Sequence, residues 1–150
     1  MDGRTYRYMT AEPLYPFGFG LGYTQFEYSD LDLEKADIGT GESLTFSATV
    51  KNTGQRTATE VVQYYLSDLE AFTKVPLHHL VGFERVMLEP GKSQTLKFSL
   101  TPEMMSFFDD DGQLTLEPGS FRLEVGGCSP GQRGQDLGAP EPLIAEFKVH

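Results

Sequence analysis

The chain has 150 residues, 22 acidic and 12 basic, for a formal net charge of −10. That length suits one domain with a real core and is short for two. The charge argues against nucleic acid, whose phosphates demand Lys and Arg, and against anionic membrane surfaces; neutral partners such as sugars or other protein domains fit better.

The first 23 residues are rich in aromatics, Pro and Gly and follow no helical or strand period. The opening Met1 to Tyr6 has no apolar core of signal-peptide type, so no signal peptide is expected on this chain and its compartment stays open. Nowhere is there an apolar run long enough to span a bilayer. Tyr6, Tyr8, Tyr15, Pro16, Phe17, Phe19, Leu21 and Tyr23 carry too much apolar surface for an ordinary tail. Two readings stand: an irregular strap that docks on a second domain, or a tail packed on its own domain. The spacing of Gly18, Gly20 and Gly22 differs from that of a dinucleotide-binding glycine loop, and no strand precedes it.

From Thr24 onward the period becomes two. Thr24 to Leu33 reads as a strand whose apolar phase slips between Tyr28 and Leu31, which predicts a bulge. Leu44, Phe46, Ala48 and Val50 alternate with polar residues, as in a strand with one buried face. Asn52, the chain's lone asparagine, is followed by Thr53 and Gly54, which is no glycosylation sequon. Val61 to Leu66 is apolar on both faces, the pattern of a central strand. His78 and His79 are adjacent and would point to opposite faces of a strand, which suits neither a shared metal nor a triad. Pro90-Gly91 and Pro118-Gly119 both read as type II turns, the same turn used twice. Leu96, Phe98 and Leu100 alternate as a further strand. Pro102 to Phe108 suits one helical turn capped by Thr101. Asp109-Asp110-Asp111-Gly112 lacks the alternate spacing and closing Glu of a calcium loop and reads as a solvated turn in a tight hairpin. Phe121 to Val125 and Leu143 to Val149 complete the alternating runs, with a Gly/Pro-rich loop between them. Cys128, the single cysteine, permits no internal disulfide and reads as a small apolar side chain.

About seven short strands punctuated by turns indicate an all-β, immunoglobulin-like antiparallel sandwich over residues 24–150, preceded by the strap of residues 1–23. No catalytic residue, metal site or cofactor is expected. Glycoside hydrolysis needs two carboxylates held across a sugar, and no pair is singled out here. An exposed aromatic row could bind glycans, with Tyr65 and Phe72 as candidate contacts, although Tyr64 and Tyr65 alternate on a central strand and both could be buried.

Several motifs add a resemblance. Gly3 to Tyr8, followed by the run from Pro13 to Phe26, resembles the junction in family 3 glycoside hydrolases that leads into their C-terminal fibronectin type III-like module. The runs Val50–Gly54, Glu60–Tyr65, Leu80–Val86 with Leu88–Gly91, and Gly119–Gly127 resemble that module's strands in order, over nearly the whole chain. The resemblance implies a non-catalytic fibronectin type III-like domain of a β-glucosidase- or β-xylosidase-type hydrolase. Its partners would be the parent's catalytic domains, against which the junction aromatics lie. A free-standing module that binds carbohydrate or another protein is the alternative.

Overall fold

The computed structural model describes residues 4–71, 75–109 and 111–150. Seven long strands carry the fold, the number expected, with the one at 79–88 foreseen through the resemblance rather than through alternation: β1 (Phe26–Leu33), β3 (Leu44–Asn52), β4 (Ala58–Asp68), β5 (His79–Leu88), β6 (Ser93–Leu100), β9 (Gly119–Gly126) and β10 (Leu143–Val149). Three two-residue strands join them: β2 (Asp37–Ile38), β7 (Phe107–Phe108) and β8 (Leu114–Thr115). Two short helices lie between, α1 (Pro102–Met105) and α2 (Gln132–Asp136). One sheet has the order β1-β3-β6, and the other β2-β10-β9-β4-β5. All pairs are antiparallel except β2 with β10. No helix among the described residues is long and apolar enough to cross a membrane.

The inward-facing residues of both sheets make the core. Leu44, Phe46, Ala48 and Val50 of β3 are buried with Val62, Tyr64 and Leu66 of β4 and with Phe121, Leu123 and Val125 of β9. Phe46 meets Tyr64 edge-on with centroids 5.3 Å apart. Each such aliphatic or aromatic side chain taken from water contributes roughly 1.5–3 kcal/mol. The phase slip in β1 is a bulge: the pairing with β3 shifts between Ser29 and Asp32, and Asp30 takes a φ of 55°.

The two Pro-Gly pairs part company. Lys92 donates its amide to the Glu89 carbonyl at 3.0 Å and Gly91 has a φ of 75°, the geometry of a type II turn. Gly119 has no positive φ; it opens β9 and pairs with Val149, so the second pair is a strand entrance and the repeated-turn expectation is corrected. Thr101 does sit before α1, but its side chain makes no capping hydrogen bond; the short helix is instead set by Pro102 in its first turn and by the Met104 amide donating to the Thr101 carbonyl. The acidic hairpin between β7 and β8 is organised by Asp109. Its carboxylate accepts from the amides of Asp111 and Gln113 and from the Thr115 hydroxyl.

Asn52 ends β3 fully buried, with every side-chain hydrogen-bonding group engaged. Its Oδ1 accepts from the Thr24 hydroxyl at 2.7 Å and the Gly54 amide at 3.0 Å. Its Nδ2 donates to the carbonyls of Arg56 and Leu88 at 2.8 and 2.9 Å. One side chain thereby joins the strap's exit, the β3–β4 loop and the end of β5.

Candidate functional site

Strand β4 lies inside its sheet, between β9 and β5, and its two faces go different ways. Val62, Tyr64 and Leu66 point into the sandwich. Gln63 and Tyr65 point outward, yet they are only 4 % and 1 % exposed. The cover is the N-terminal segment, together with the loop from Gly127 onward. A strand apolar on both faces is therefore explained by a third layer on the back of the sheet.

The strap is fastened by its own backbone. The Phe17 carbonyl accepts from the Ser129 amide at 2.8 Å, and the Arg7 carbonyl from the Leu77 amide at 2.8 Å. The Gly18 carbonyl accepts from Gln63 Nε2 at 3.1 Å, and the Leu14 carbonyl from Arg133 Nε at 3.2 Å. Gln63 also donates to the Gly127 carbonyl at 2.8 Å, and its Oε1 accepts from the Tyr65 hydroxyl at 2.6 Å. Gly18 has a φ of 76°, and a side chain there would run into the Gln63 amide, so this close approach requires glycine.

Rings complete the fastening. Tyr6 stacks on Phe17 at 4.2 Å with 10° between planes, meets Tyr65 edge-on at 6.2 Å, and lies 5.8 Å from His78. The Leu80 amide donates to the Tyr6 hydroxyl at 3.3 Å. Burial, and secondarily the neighbouring His79, holds the His78 imidazole below its ordinary pKa. Burial, with Tyr6 and Cys128 adding to it, pushes the Tyr65 phenol above its ordinary value.

The eight aromatic and apolar strap residues divide by direction. Pro16 is buried, and Tyr6, Tyr8 and Phe19 are half-buried against the domain. Tyr15, Leu21 and Tyr23, joined by Leu14, are between 67 and 90 % exposed, and Phe17 is 47 % exposed beyond its stack on Tyr6. Between the strap's limbs runs an open groove of about 920 Å³, lined by Tyr6, Tyr8, Met9, Pro13, Tyr15, Phe17, His78 and Pro130. Tyr65 presents no ring face to a ligand, so its candidacy as a glycan contact is corrected: the strap sits where a sugar would stack. Phe72 lies outside the described residues.

Among the described residues the histidines and the cysteine stand apart from any catalytic arrangement. His79 Nε2 lies 3.0 Å from the Met104 carbonyl and His150 Nε2 lies 3.0 Å from Asp37 Oδ1; neither is paired with a nucleophile. The Cys128 thiol is pushed up by burial and then by Glu60, away from thiolate character. Among the described residues no three His, Cys, Asp or Glu side chains are placed to hold a metal ion. Sequence reasoning missed Gln63, His78, Ser129 and Arg133 as strap anchors. One signal was available: a glutamine within an otherwise apolar central strand needs a dedicated partner.

The sequence profile of the Fibronectin type III-like domain family matches residues 60–129. A β-xylosidase of Formosa agariphila is 40 % identical over 124 residues, 83 % of this chain and 17 % of that protein. The thermostable β-glucosidase B of Acetivibrio thermocellus is 37 % identical over 128 residues, again 83 % of this chain and 17 % of the relative. Among solved structures, a β-glucosidase of Erythrobacter marinus superposes with a TM-score of 0.82 at 36 % identity, covering 96 % of this chain and 18 % of that one. The chain thus spans about a sixth of the length of the relatives it matches.

Proposed function

We propose, for a chain that belongs to the fibronectin type III-like domains carried by family 3 β-glucosidases and β-xylosidases, that it is the non-catalytic C-terminal module of such a hydrolase. On this reading the parent cleaves β-glucosides or β-xylosides, and the carboxylate pair that glycoside hydrolysis needs lies in parts of the parent outside this chain. Residues 1–23 form the docking strap and residues 24–150 the sandwich. Tyr15, Phe17, Leu21 and Tyr23, with Leu14, meet the catalytic domains, while Tyr6, Tyr8, Pro16 and Phe19 hold the strap to the sandwich.

One observation carries the reading. A ten-residue stretch, Leu14 to Tyr23, exposes five large apolar side chains while its backbone is hydrogen-bonded to the rest of the domain at Leu14, Phe17 and Gly18. A disordered tail would not be fastened, and a finished surface does not cluster such side chains unless something covers them.

The size of the native protein tests the proposal. An antibody raised against this chain should detect a polypeptide several-fold heavier, co-fractionating with β-glucosidase or β-xylosidase activity. A native polypeptide of 150 residues would overturn the proposal.

A further inference from the structure

The strap crosses the back of the sheet at Gln63. From Thr59 to Gln63, β4 has β5 on one side, because its pairing with β9 begins only at Gln63. A trough of about 470 Å³ lies there, lined by Thr59, Val61 and Gln63 of β4, by Gly18 to Gly22 and by Leu137 to Pro140. The register sets Phe83 beside Gln63, Arg85 beside Val61 and Met87 beside Thr59, so these three stand in one row on β5 next to the β4 residues that line the trough. Phe83 and Met87 are 60 % and 73 % exposed.

Two features of this row are wrong for a surface left in water. Strand β5 ends its sheet, and free edge strands are normally guarded by charge, Pro or a twist that discourages pairing. Arg85 is the one such charge in this outward row, where it stands between Phe83 and Met87, and all three residue types are enriched in protein interfaces. Arg85 also has no ion-pair partner among the described residues, in a chain with ten more acidic than basic side chains (22 less 12).

We propose that the docking face extends from the strap across the trough onto β5, where Phe83, Arg85 and Met87 form a second anchor for the same domain of the parent. The complementary surface is apolar with a carboxylate opposite Arg85. This rests on the reading of the chain as a module of a larger hydrolase, and it is favoured by continuity with the strap and by relatives about six times longer than this chain. A strap alone would tether the module; a strap and a strand set side by side on one sheet fix its orientation.

The experiment compares the native long polypeptide with the 150-residue chain. Amides of β5 and of the strap should exchange slower by about tenfold or more in the long polypeptide, as expected where a partner covers them. The double substitution Phe83→Ser, Met87→Ser should lower the melting temperature of the long polypeptide by several degrees and leave the 150-residue chain unchanged. Arg85→Glu should do the same, and Ile144→Ser, on the far side of the same sheet, should do neither. Strap protection without β5 protection, or equal effects of the double substitution on both proteins, would overturn this inference and leave the strap reading standing. Absence of any longer polypeptide would remove the reading beneath both.

Discussion

Asn52 shows how much one side chain can hold when it is buried and completely hydrogen-bonded. Asn52→Ala would strip partners from the Thr24 hydroxyl, the Gly54 amide and two carbonyls, of which the Leu88 carbonyl is buried and the others are partly so. We expect a loss of about 3 kcal/mol in urea unfolding, since each buried polar group left unpaired costs roughly 1–3 kcal/mol. Glu60 behaves oppositely. Burial raises its carboxyl above the ordinary value, against the lowering effects of the Val61 amide and the Tyr28 hydroxyl. A carboxyl raised in the folded state binds its proton more tightly there than in the unfolded chain. Stability is therefore greatest below the ordinary carboxylate range and falls as pH rises through the raised value. Glu60→Gln should accordingly stabilise the protein at neutral pH and have no effect near pH 4, which paired unfolding curves would show. Neither role was legible in the sequence. Asn52 stood out only as the lone asparagine and Glu60 only as the first residue of the Glu60–Tyr65 run, because the partners of both come from distant parts of the chain.

At the scale of elements, the regular strands were readable and the short ones were not. Alternation over five or more residues reports a half-buried sheet directly, and the strands from β3 to β10 that show it lie where the pattern puts them. A two-residue strand such as β2 has no period to detect; it exists because β10 offers carbonyls and amides in parallel register. The same limit applies to α2, which closes in a loop read only as Gly/Pro-rich. The strap's aromatic character was visible, but its fastening at Gln63 was not. That fastening is open to test through Gly18→Ala, which strains a positive φ and collides with Gln63. Exchange should accelerate at the amides of Phe19 and Ser129, with the core strands unchanged. Acid should loosen the same region. His78 is held below its ordinary pKa, so the unfolded or released state binds protons more readily, and stability is lost as pH falls below the ordinary imidazole range. Strap exchange measured at pH 5 and pH 7.5, corrected for intrinsic rates, should show the faster opening at pH 5; His78→Phe should reduce the difference, the remainder belonging to His79, which burial also holds below its ordinary pKa.

The whole molecule is a sandwich with a third, partial layer, and the layer changes what counts as its surface. Removing residues 1–23 would bare Tyr65 and Gln63 on the back of β4. Loss of the Tyr65 cover alone costs roughly 2 kcal/mol by the burial of an aromatic side chain. A chain of residues 24–150 should therefore melt well below the 150-residue chain. An unchanged melting temperature would show that the strap merely rests on the sheet. The boundary at residue 24, where the period of two begins, marks a change of local conformation. The packing unit starts earlier, because contacts between residues far apart in the chain leave no trace in local periodicity.

Gln63 consequently acts as a compatibility key between two stretches that recombination could separate. Its amide reaches the strap carbonyl only because glycine stands at position 18, so each stretch is fitted to the other. A chimaera joined inside the strap, with an unrelated hydrolase supplying residues up to 23, would place a foreign backbone over this glutamine. One joined ahead of Arg4 would carry the matched pair across intact, and only the outward-facing side chains would have to suit the new host.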